Sequence, residues 1–139
     1  MPTVSEVMTK NPVGVSTSAT LNDAAQVMRD RDIGDVVVLR EDGSLCGLVT
    51  DRDLVIRGLA EGLDPKAAQI EQICNHDPVT VSSDQSAEEA VKVMRKHNIR
   101  RLPVVDGSDL VGIISLGDLA IEKDPESVLA DISEAPPNN

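Results

Sequence analysis

The sequence predicts an α/β fold, of the α+β type, built from two β-α-β-β-α repeats. The chain repeats itself after about 66 residues, so that Met28 corresponds to Met94 and Gly47 to Gly112. Each copy combines short β-branched runs with one amphipathic stretch and a second helix start. Because one copy of about 60 residues would be marginally stable alone, we expect the two copies to bury a common core in one module.

Each repeat is predicted to begin with a short strand and a helix. The β-branched stretches 13–16 and 79–82 follow prolines, which favours edge strands. Thr20 with Asp23, and Ser86 with Glu89, match the capping box that starts a helix. Apolar residues then recur at helical spacing and predict a buried stripe; they are Leu21, Ala24, Ala25 and Met28 in the first copy and Ala87, Ala90, Val91 and Met94 in the second.

A hairpin and a second helix complete each predicted repeat. Apolar runs at 36–39 and 102–105 lead through turns rich in Asp and Gly to further runs at 45–49 and 110–114. The second helix is predicted to start at Thr50 and at Ser115, and the first of these helices to end near Gly58 or Gly62. We therefore assign repeat 1 to residues 1–66 and repeat 2 to 67–124. Residues 125–139 are predicted to be a partly disordered tail with a weak helical turn at 127–132.

The composition restricts the classes of partner. The formal net charge is −11 and is spread over both halves, which argues against nonspecific binding to nucleic acid or to a membrane surface. No apolar run approaches the ~18 residues of a membrane span, and residues 1–10 lack the pattern of a signal peptide, so we expect a cytoplasmic protein. The chain has no Phe, Tyr or Trp, so a bound base would lie between aliphatic side chains.

The cysteines and histidines do not form a recognisable motif. Cys46 and Cys74 lie in apolar contexts and align with Val111 and Met8 of the other copy, which favours buried small side chains. His76 and His97 share no ligand spacing with the cysteines, so no metal site is predicted. No nucleophile elbow, phosphate loop or metalloprotease pattern is present, and we do not expect an enzyme.

The strongest candidate for a site is a hydroxyl and a carboxylate three residues apart after a glycine. It occurs once as Gly47, Thr50 and Asp53 and again as Gly112, Ser115 and Asp118. One interpretation is a helix N-cap, in which the carboxylate accepts from a backbone amide. The other is a ligand site, because a helix start attracts an anion and a carboxylate accepts two hydrogen bonds from a vicinal diol such as ribose. The motif alone leaves both interpretations open.

With these motifs in place, residues 4–123 resemble a tandem pair of CBS domains, also called a Bateman module. The resemblance depends most on HNIRRLPVVD followed by GIISLGD. It implies two repeats packed through their sheets with pseudo-twofold symmetry, and two clefts that bind adenosine-containing ligands. It also implies that Asp53 and Asp118 hold the ribose, with Thr50 and Ser115 near ribose or phosphate.

The resemblance further implies that each cleft combines residues of both repeats. The implied ligand-binding residues are Thr50 and Asp53 with Val79, Thr80 and Val81 in one cleft, and Gly112, Ser115 and Asp118 with Asn11, Val13 and Val15 in the other. Cations at the start of the second strand would face phosphate. They are Arg100 and Arg101 in repeat 2, but Gly34 and Asp35 take their places in repeat 1. We therefore expect unequal clefts, because Asp35 repels phosphate where Arg101 attracts it.

The predicted function is regulatory and non-enzymatic. The ligand implied by the resemblance is AMP, ADP, ATP, S-adenosylmethionine or another adenosyl compound, with no obligatory cofactor, and few cations on an acidic chain favour ligands with few phosphates. The expected partners are a second copy in a homodimer and an unidentified effector protein, with no nucleic acid and no membrane. The alternatives are a ligand-free structural or interaction module and, less favoured, a thiol or metal sensor that uses Cys46, Cys74 and the histidines.

Overall fold

A computed structural model describes residues 2–76 and 78–123, with side chains up to residue 120. The predicted tail, 125–139, lies outside the described residues. Along the chain the elements are α1 (Val4–Val7), β1 (Thr9–Lys10), β2 (Gly14–Ser16), α2 (Leu21–Arg31), β3 (Asp35–Leu39), β4 (Leu45–Thr50), α3 (Asp51–Asp53), a π-helical turn (Leu54–Leu59), a 3-10 helix (Ile70–Gln72), α4 (Ala87–His97), β5 (Arg101–Asp106), β6 (Asp109–Ser115) and α5 (Leu116–Lys123). Helices and two three-stranded sheets confirm the predicted fold class.

The chain divides into two compact units that cross the boundaries of the repeats. The first-repeat unit is Val13–Pro78, and the second-repeat unit joins residues 2–12 to 79–123. The assignment of 1–66 and 67–124 describes the duplication along the sequence and stays a prediction. The compact units differ from this assignment at the start of each repeat. Residues 2–12 pack onto repeat 2, and residues 67–76 pack onto repeat 1. We call these two stretches the exchanged segments.

The exchanged segments are held by matching backbone hydrogen bonds. In the second-repeat unit, the Val4 amide donates to the Gln85 carbonyl (2.8 Å) and the Ala87 amide to the Pro2 carbonyl (2.9 Å). In the first-repeat unit, the Ile70 amide donates to the Ala19 carbonyl (2.7 Å) and the Leu21 amide to the Ala68 carbonyl (3.1 Å). Val4 and Ile70 are both fully buried, so each segment supplies part of the hydrophobic core of the unit that it joins.

The first-repeat unit contains the predicted hairpin. Strand β2 is parallel to β3, and β3 is antiparallel to β4. A β-bulge interrupts the hairpin, because Val38 pairs with Gly47 and Leu39 with Leu45, which leaves Cys46 as the extra residue. The core lies between this sheet and α2; its buried members are Leu21, Ala24, Met28, Val36, Val38, Cys46, Val49, Ile70, Ile73 and Cys74.

The second-repeat unit repeats this pattern with one strand almost lost. Strands β5 and β6 are antiparallel, and β1 extends the sheet on the far side of β6. The predicted strand at 79–82 is reduced to a bridge between Val81 and Val104. The reason is Pro103, which replaces Val37: the Val37 amide donates to the Val13 carbonyl (3.0 Å), whereas proline has no amide to offer Val79.

The predicted helix starts are confirmed. Thr20 accepts from the Asp23 amide, and the Asp23 carboxylate accepts from the Thr20 amide, both at 3.0 Å. Ser86 accepts from the Glu89 amide at 3.1 Å. Both helices end at a residue in the left-handed conformation, Asp32 (φ 58°) and Asn98 (φ 53°). None of the helices in the described ranges is long and apolar enough to cross a bilayer.

Candidate ligand-binding site

The hydroxyl–carboxylate motifs form complete capping boxes in both units. The Asp53 amide donates to Thr50 Oγ1 (3.1 Å), and the Thr50 amide donates to Asp53 Oδ2 (2.9 Å). The Asp118 amide donates to Ser115 Oγ, and the Ser115 amide to Asp118 Oδ2, both at 3.0 Å. The interpretation of these residues as helix caps is therefore confirmed. Each cap uses one carboxylate oxygen, so it does not exclude a ligand at the other.

The environment of the other oxygen, Oδ1, is different in the first-repeat unit. Arg57 Nε lies 4.0 Å from Asp53 Oδ1, and Arg57 Nη1 donates to the Ile73 carbonyl at 3.1 Å. Arg57 belongs to the π-helical turn, whereas the equivalent helix α5 is regular. Sequence reasoning missed Arg57, although its spacing of four residues from Asp53 is typical of a helical ion pair.

The strand register places opposite charges beside the two hydroxyls. Arg101 pairs with Ser115 across β5 and β6, and Asp35 pairs with Thr50 across β3 and β4. Directly paired residues have Cβ atoms about 4.5–5.5 Å apart. A cation therefore lies beside Ser115 in the second-repeat unit, and a carboxylate lies beside Thr50 in the first-repeat unit, as the alignment predicts.

Arg100 and Gly34 share a backbone role. The Arg100 carbonyl accepts from the Leu116 amide (2.8 Å), and the Gly34 carbonyl accepts from the Asp51 amide (3.0 Å). Each carbonyl thus takes up the first free amide of the helix that follows the hairpin. The Arg100 side chain is exposed, whereas Arg101 is half-buried.

The remaining predicted residues are distributed between the units. Val13 and Val15 lie in the unit of Thr50 and Asp53, and Asn11, which has a positive φ of 53°, lies in the unit of Ser115 and Asp118. Val79, Thr80 and Val81 also belong to the second-repeat unit. The predicted pairing of each motif with the first strand of the other repeat stays a prediction.

The two glycines before the motifs allow close packing within each unit. A Cβ on Gly47 would lie 2.2 Å from the Asn75 carbonyl oxygen and 2.4 Å from Cys74 Sγ. A Cβ on Gly112 would lie 2.6 Å from Met8 Sδ and 2.8 Å from the Thr9 carbonyl oxygen. Both glycines are buried and each faces an exchanged segment. Atoms of that segment occupy the space that a side chain would need.

Cys46 and Cys74 are buried free thiols, as predicted. Burial, and then the charge and hydrogen bonding of the neighbouring Cys46 thiol, raise the pKa of Cys74 to about 12. As they stand, no three His, Cys, Asp or Glu side chains in the described ranges are grouped closely enough to hold a metal ion.

Comparison with known proteins identifies the class. The family model of the CBS domain matches residues 4–58 and 70–123. The chain therefore belongs to the CBS domain family and contains a pair of these domains.

Two relatives illustrate the range of ligands found with this fold. The chain is 39% identical over 120 residues to hypoxic response protein 1 of Mycobacterium tuberculosis, covering 86% of this chain and 84% of that protein. A crystal structure of hypoxic response protein I with two coordinated zinc ions matches with a TM-score of 0.80 and 38% identity, covering 88% of this chain and 99% of that one. The CBS domain pair of protein MJ0100, in complex with 5′-methylthioadenosine and S-adenosyl-L-methionine, matches with a TM-score of 0.78 and 25% identity, covering 87% and 98%.

Proposed function

We propose that this CBS domain pair is a regulatory, non-catalytic module that binds an adenosyl ligand and signals its bound state to a separate partner protein. The observation that carries the proposal is the pair of carboxylates, Asp53 and Asp118, each fixed by a capping box through Oδ2 alone. A similar domain pair is known in complex with adenosyl compounds, which supports the ligand class.

The carboxylates suit a ribose diol. In each cap, the backbone amide of Thr50 or Ser115 donates to Oδ2 and holds the carboxylate in one orientation before a ligand arrives. A fixed carboxylate binds two adjacent hydroxyls at a lower entropic cost than a mobile one. We propose that Oδ1 of each carboxylate accepts from the diol.

We further propose that the second-repeat carboxylate takes the ligand that bears phosphate. Arg101 stands beside Ser115, whereas Asp35 stands beside Thr50. On a chain of net charge −11, each further phosphate needs a further cation, so AMP or S-adenosylmethionine suits the module better than ATP.

Titration calorimetry with AMP, ATP, S-adenosylmethionine and adenosine tests the ligand class. We expect at least one of these compounds to bind, and Asp118→Ala to weaken binding by about 1–3 kcal/mol, the range for a hydrogen bond to a charged group. Loss of the cap alone lowers the free energy of unfolding by about 0.5–2 kcal/mol, so unfolding of the ligand-free variant is measured in parallel.

Matched changes in the two caps provide the control. Ser86→Ala removes an N-cap in the same unit but leaves the carboxylate of Asp118 in place, so it should lower stability and preserve affinity. Absence of binding by all four compounds, or equal losses of affinity in Ser86→Ala and Asp118→Ala, would refute the proposal in favour of a ligand-free interaction module.

The proposed module acts as a homodimer, and the first-repeat unit offers an apolar surface for the second copy. The side chains of Val55, Ile56 and Leu59 on the π-helical turn are 52%, 49% and 60% exposed. Val55 and Leu59 also line a groove of about 350 Å³ between this turn and α2, together with Met28 and Ile33. Contiguous exposed apolar side chains of this kind mark interaction surfaces.

Light scattering of the purified protein tests the assembly. We expect a dimer, and we expect Leu59→Glu to shift it to a monomer because a carboxylate cannot be buried at the contact without a partner. Lys66→Glu, a charge change at an exposed position beyond the same turn, should leave the dimer intact. A monomeric wild-type chain would refute this part of the proposal.

A further inference from the structure

A thiol–imidazole cluster lies in the first-repeat unit, close to the capping box of Asp53. Cys46 Sγ lies 3.4 Å from His76 Nδ1. Cys74, two residues before His76, is buried in the same core cluster as Cys46. Both cysteines are almost fully buried, at 1% and 5% exposure, whereas His76 is exposed and connects the cluster to solvent.

The β-bulge gives Cys46 its direction. In a regular strand Cys46 and Gly47 would face opposite sides of the sheet. Because Cys46 is the extra residue of the bulge, the alternation of sides is locally disrupted and its side chain can turn toward the segment that Gly47 faces. That segment carries Cys74 at 2.4 Å from the place of a Gly47 Cβ, and it leads directly to His76.

The hydrogen bonds of His76 fix its tautomer. Nε2 lies 3.0 Å from the Glu71 carbonyl oxygen, which only accepts, so Nε2 carries the proton and donates. Nδ1 of the neutral ring is then the acceptor that faces Cys46 Sγ. Metal-binding histidines have this arrangement, in which one ring nitrogen donates to a backbone carbonyl and the other points at the ion.

The sulfur–nitrogen separation also fits a metal. With Zn–S near 2.3 Å and Zn–N near 2.0–2.1 Å, two ligands of a tetrahedral ion are about 3.5 Å apart. The observed separation of Cys46 Sγ and His76 Nδ1 is 3.4 Å. We propose that Cys46 Sγ, His76 Nδ1 and Cys74 Sγ bind one soft divalent metal ion of the zinc class, with solvent in the fourth position.

Binding requires a small rearrangement of Cys74. Its thiol points toward the Asn75 carbonyl oxygen at 3.7 Å, a weak contact, and three ligands are not yet grouped around one point. Rotation of this thiol toward Cys46 completes the set. Binding releases the thiol protons, and the divalent charge replaces the repulsion between two thiolates by attraction.

Cobalt titration of the full-length protein, reduced and stripped of metal with a chelator, tests the site. We expect one Co²⁺ per chain, with a thiolate-to-cobalt charge-transfer band in the near ultraviolet and the visible bands of tetrahedral cobalt. Zn²⁺ should displace the cobalt and raise the melting temperature. Absence of the charge-transfer band in the wild-type protein would overturn the proposal.

Variants locate the ligands. His76→Gln, at an exposed position, should weaken zinc binding by more than the ~10–100-fold typical of outer-shell changes. Cys46→Ser and Cys74→Ser should abolish the charge-transfer band or reduce it to that of one thiolate. The control is His97→Gln, an exposed histidine at the end of α4 in the other unit, which should bind cobalt like the wild type. Unchanged zinc affinity in His76→Gln, or a full band in Cys46→Ser, would refute the assignment, and circular dichroism establishes that each variant is folded.

Discussion

The two repeat units share a backbone plan and differ in the chemistry placed on it. Each has a hairpin with a bulge one residue before a buried glycine, and each glycine packs against a segment from before the other repeat. In the first-repeat unit the extra residue of the bulge is Cys46, and Cys74 packs against Gly47. In the second-repeat unit the extra residue is Val111, and Met8 packs against Gly112. The same geometry therefore forms an apolar contact in one unit and a pair of thiols in the other.

The capping boxes show a second difference of the same kind. The distances around Asp53 and Asp118 agree within 0.1 Å, yet Arg57 and Asp35 adjoin the first box and Arg101 the second. Duplication has preserved the backbone geometry that holds each carboxylate. The charges around the carboxylate have diverged, so the two units need not bind the same ligand or bind it equally well.

The largest difference is expected from the core residues that the exchanged segments supply. Ile70 and Val4 occupy equivalent places, and both are fully buried. Ile70→Ala should lower the free energy of unfolding by about 2–5 kcal/mol. Val4→Ala removes one carbon fewer and should cost less, by about 0.8 kcal/mol for that methylene. Urea denaturation measures both, with the exposed Glu71→Ala as the control. A negligible loss in Ile70→Ala would contradict the assignment of this segment to the first-repeat unit.

Substitution of the two glycines should separate the units more finely. An alanine at Gly47 meets the Asn75 backbone oxygen at 2.2 Å, whereas one at Gly112 first meets the flexible Met8 side chain at 2.6 Å. We expect both changes to destabilise by about 1–3 kcal/mol, with Gly47→Ala the more costly because its backbone contact is closer, 2.2 Å to the Asn75 oxygen against 2.8 Å from Gly112 to the Thr9 oxygen. Thermal unfolding checks the order. A larger loss in Gly112→Ala would contradict the expectation that the backbone around Asn75 yields less than the segment around Met8 and Thr9.

The fold could be predicted from the sequence because its signals are local and occur twice. Thr20 and Ser86, with the apolar stripes after them, indicate where helices begin, and the β-branched runs indicate the hairpins. The loss of the strand at 79–82 was not predicted, because it depends on Pro103 in a different strand. The packing of residues 2–12 onto repeat 2 was not predicted for the same reason. The hydrophobic pattern of a segment indicates its own secondary structure but does not indicate which distant segment it packs against.

The candidate site was predicted only where its residues lie close together in sequence. Thr50 with Asp53 and Ser115 with Asp118 form boxes because three residues separate them, and the capping interpretation is confirmed. The thiol–imidazole cluster joins residues 30 positions apart through a bulge, and spacing alone gave no indication of it. Bulges and close glycine contacts are set by tertiary packing, so single-sequence patterns do not reveal them.

Charge changes beside the hydroxyls test the proposed asymmetry of binding. Arg101→Ala should lower the affinity for AMP by about 1–2 kcal/mol and leave that for adenosine nearly unchanged, because only AMP offers a phosphate to the guanidinium. Asp35→Ala should raise AMP affinity slightly, by about 0.5 kcal/mol, as a nearby negative charge is removed. Calorimetry with both ligands measures the difference, and unfolding of each variant is followed because both residues have other interactions in the structure. Equal effects of Arg101→Ala on AMP and adenosine would rule out phosphate contact.

The smallest expected difference concerns pH and the turn before α4. In the second-repeat unit, Ser83 donates to Asp106 through its hydroxyl (2.5 Å) and its amide (2.9 Å), and these bonds, the hydroxyl first, hold the pKa of Asp106 below its ordinary value. At the equivalent turn of the first-repeat unit, the Thr17 amide donates to the Leu39 carbonyl, which does not titrate.

A carboxylate whose pKa is depressed in the folded protein stabilises it above the ordinary pKa of about 3.8, and this contribution is lost as the pH falls through the lower folded-state value. Stability at this turn should therefore decline with acid in the second-repeat unit alone. Ser83→Ala removes the hydroxyl and keeps the backbone amide, so the pKa of Asp106 should rise partway toward its ordinary value and the acid-dependent decline in stability should become smaller. Side-chain NMR titration measures the pKa, with Ser108→Ala, in the same hairpin, as the control. An unchanged Asp106 pKa in Ser83→Ala would show that the hydrogen bond from the Ser83 hydroxyl does not lower the pKa of this carboxylate.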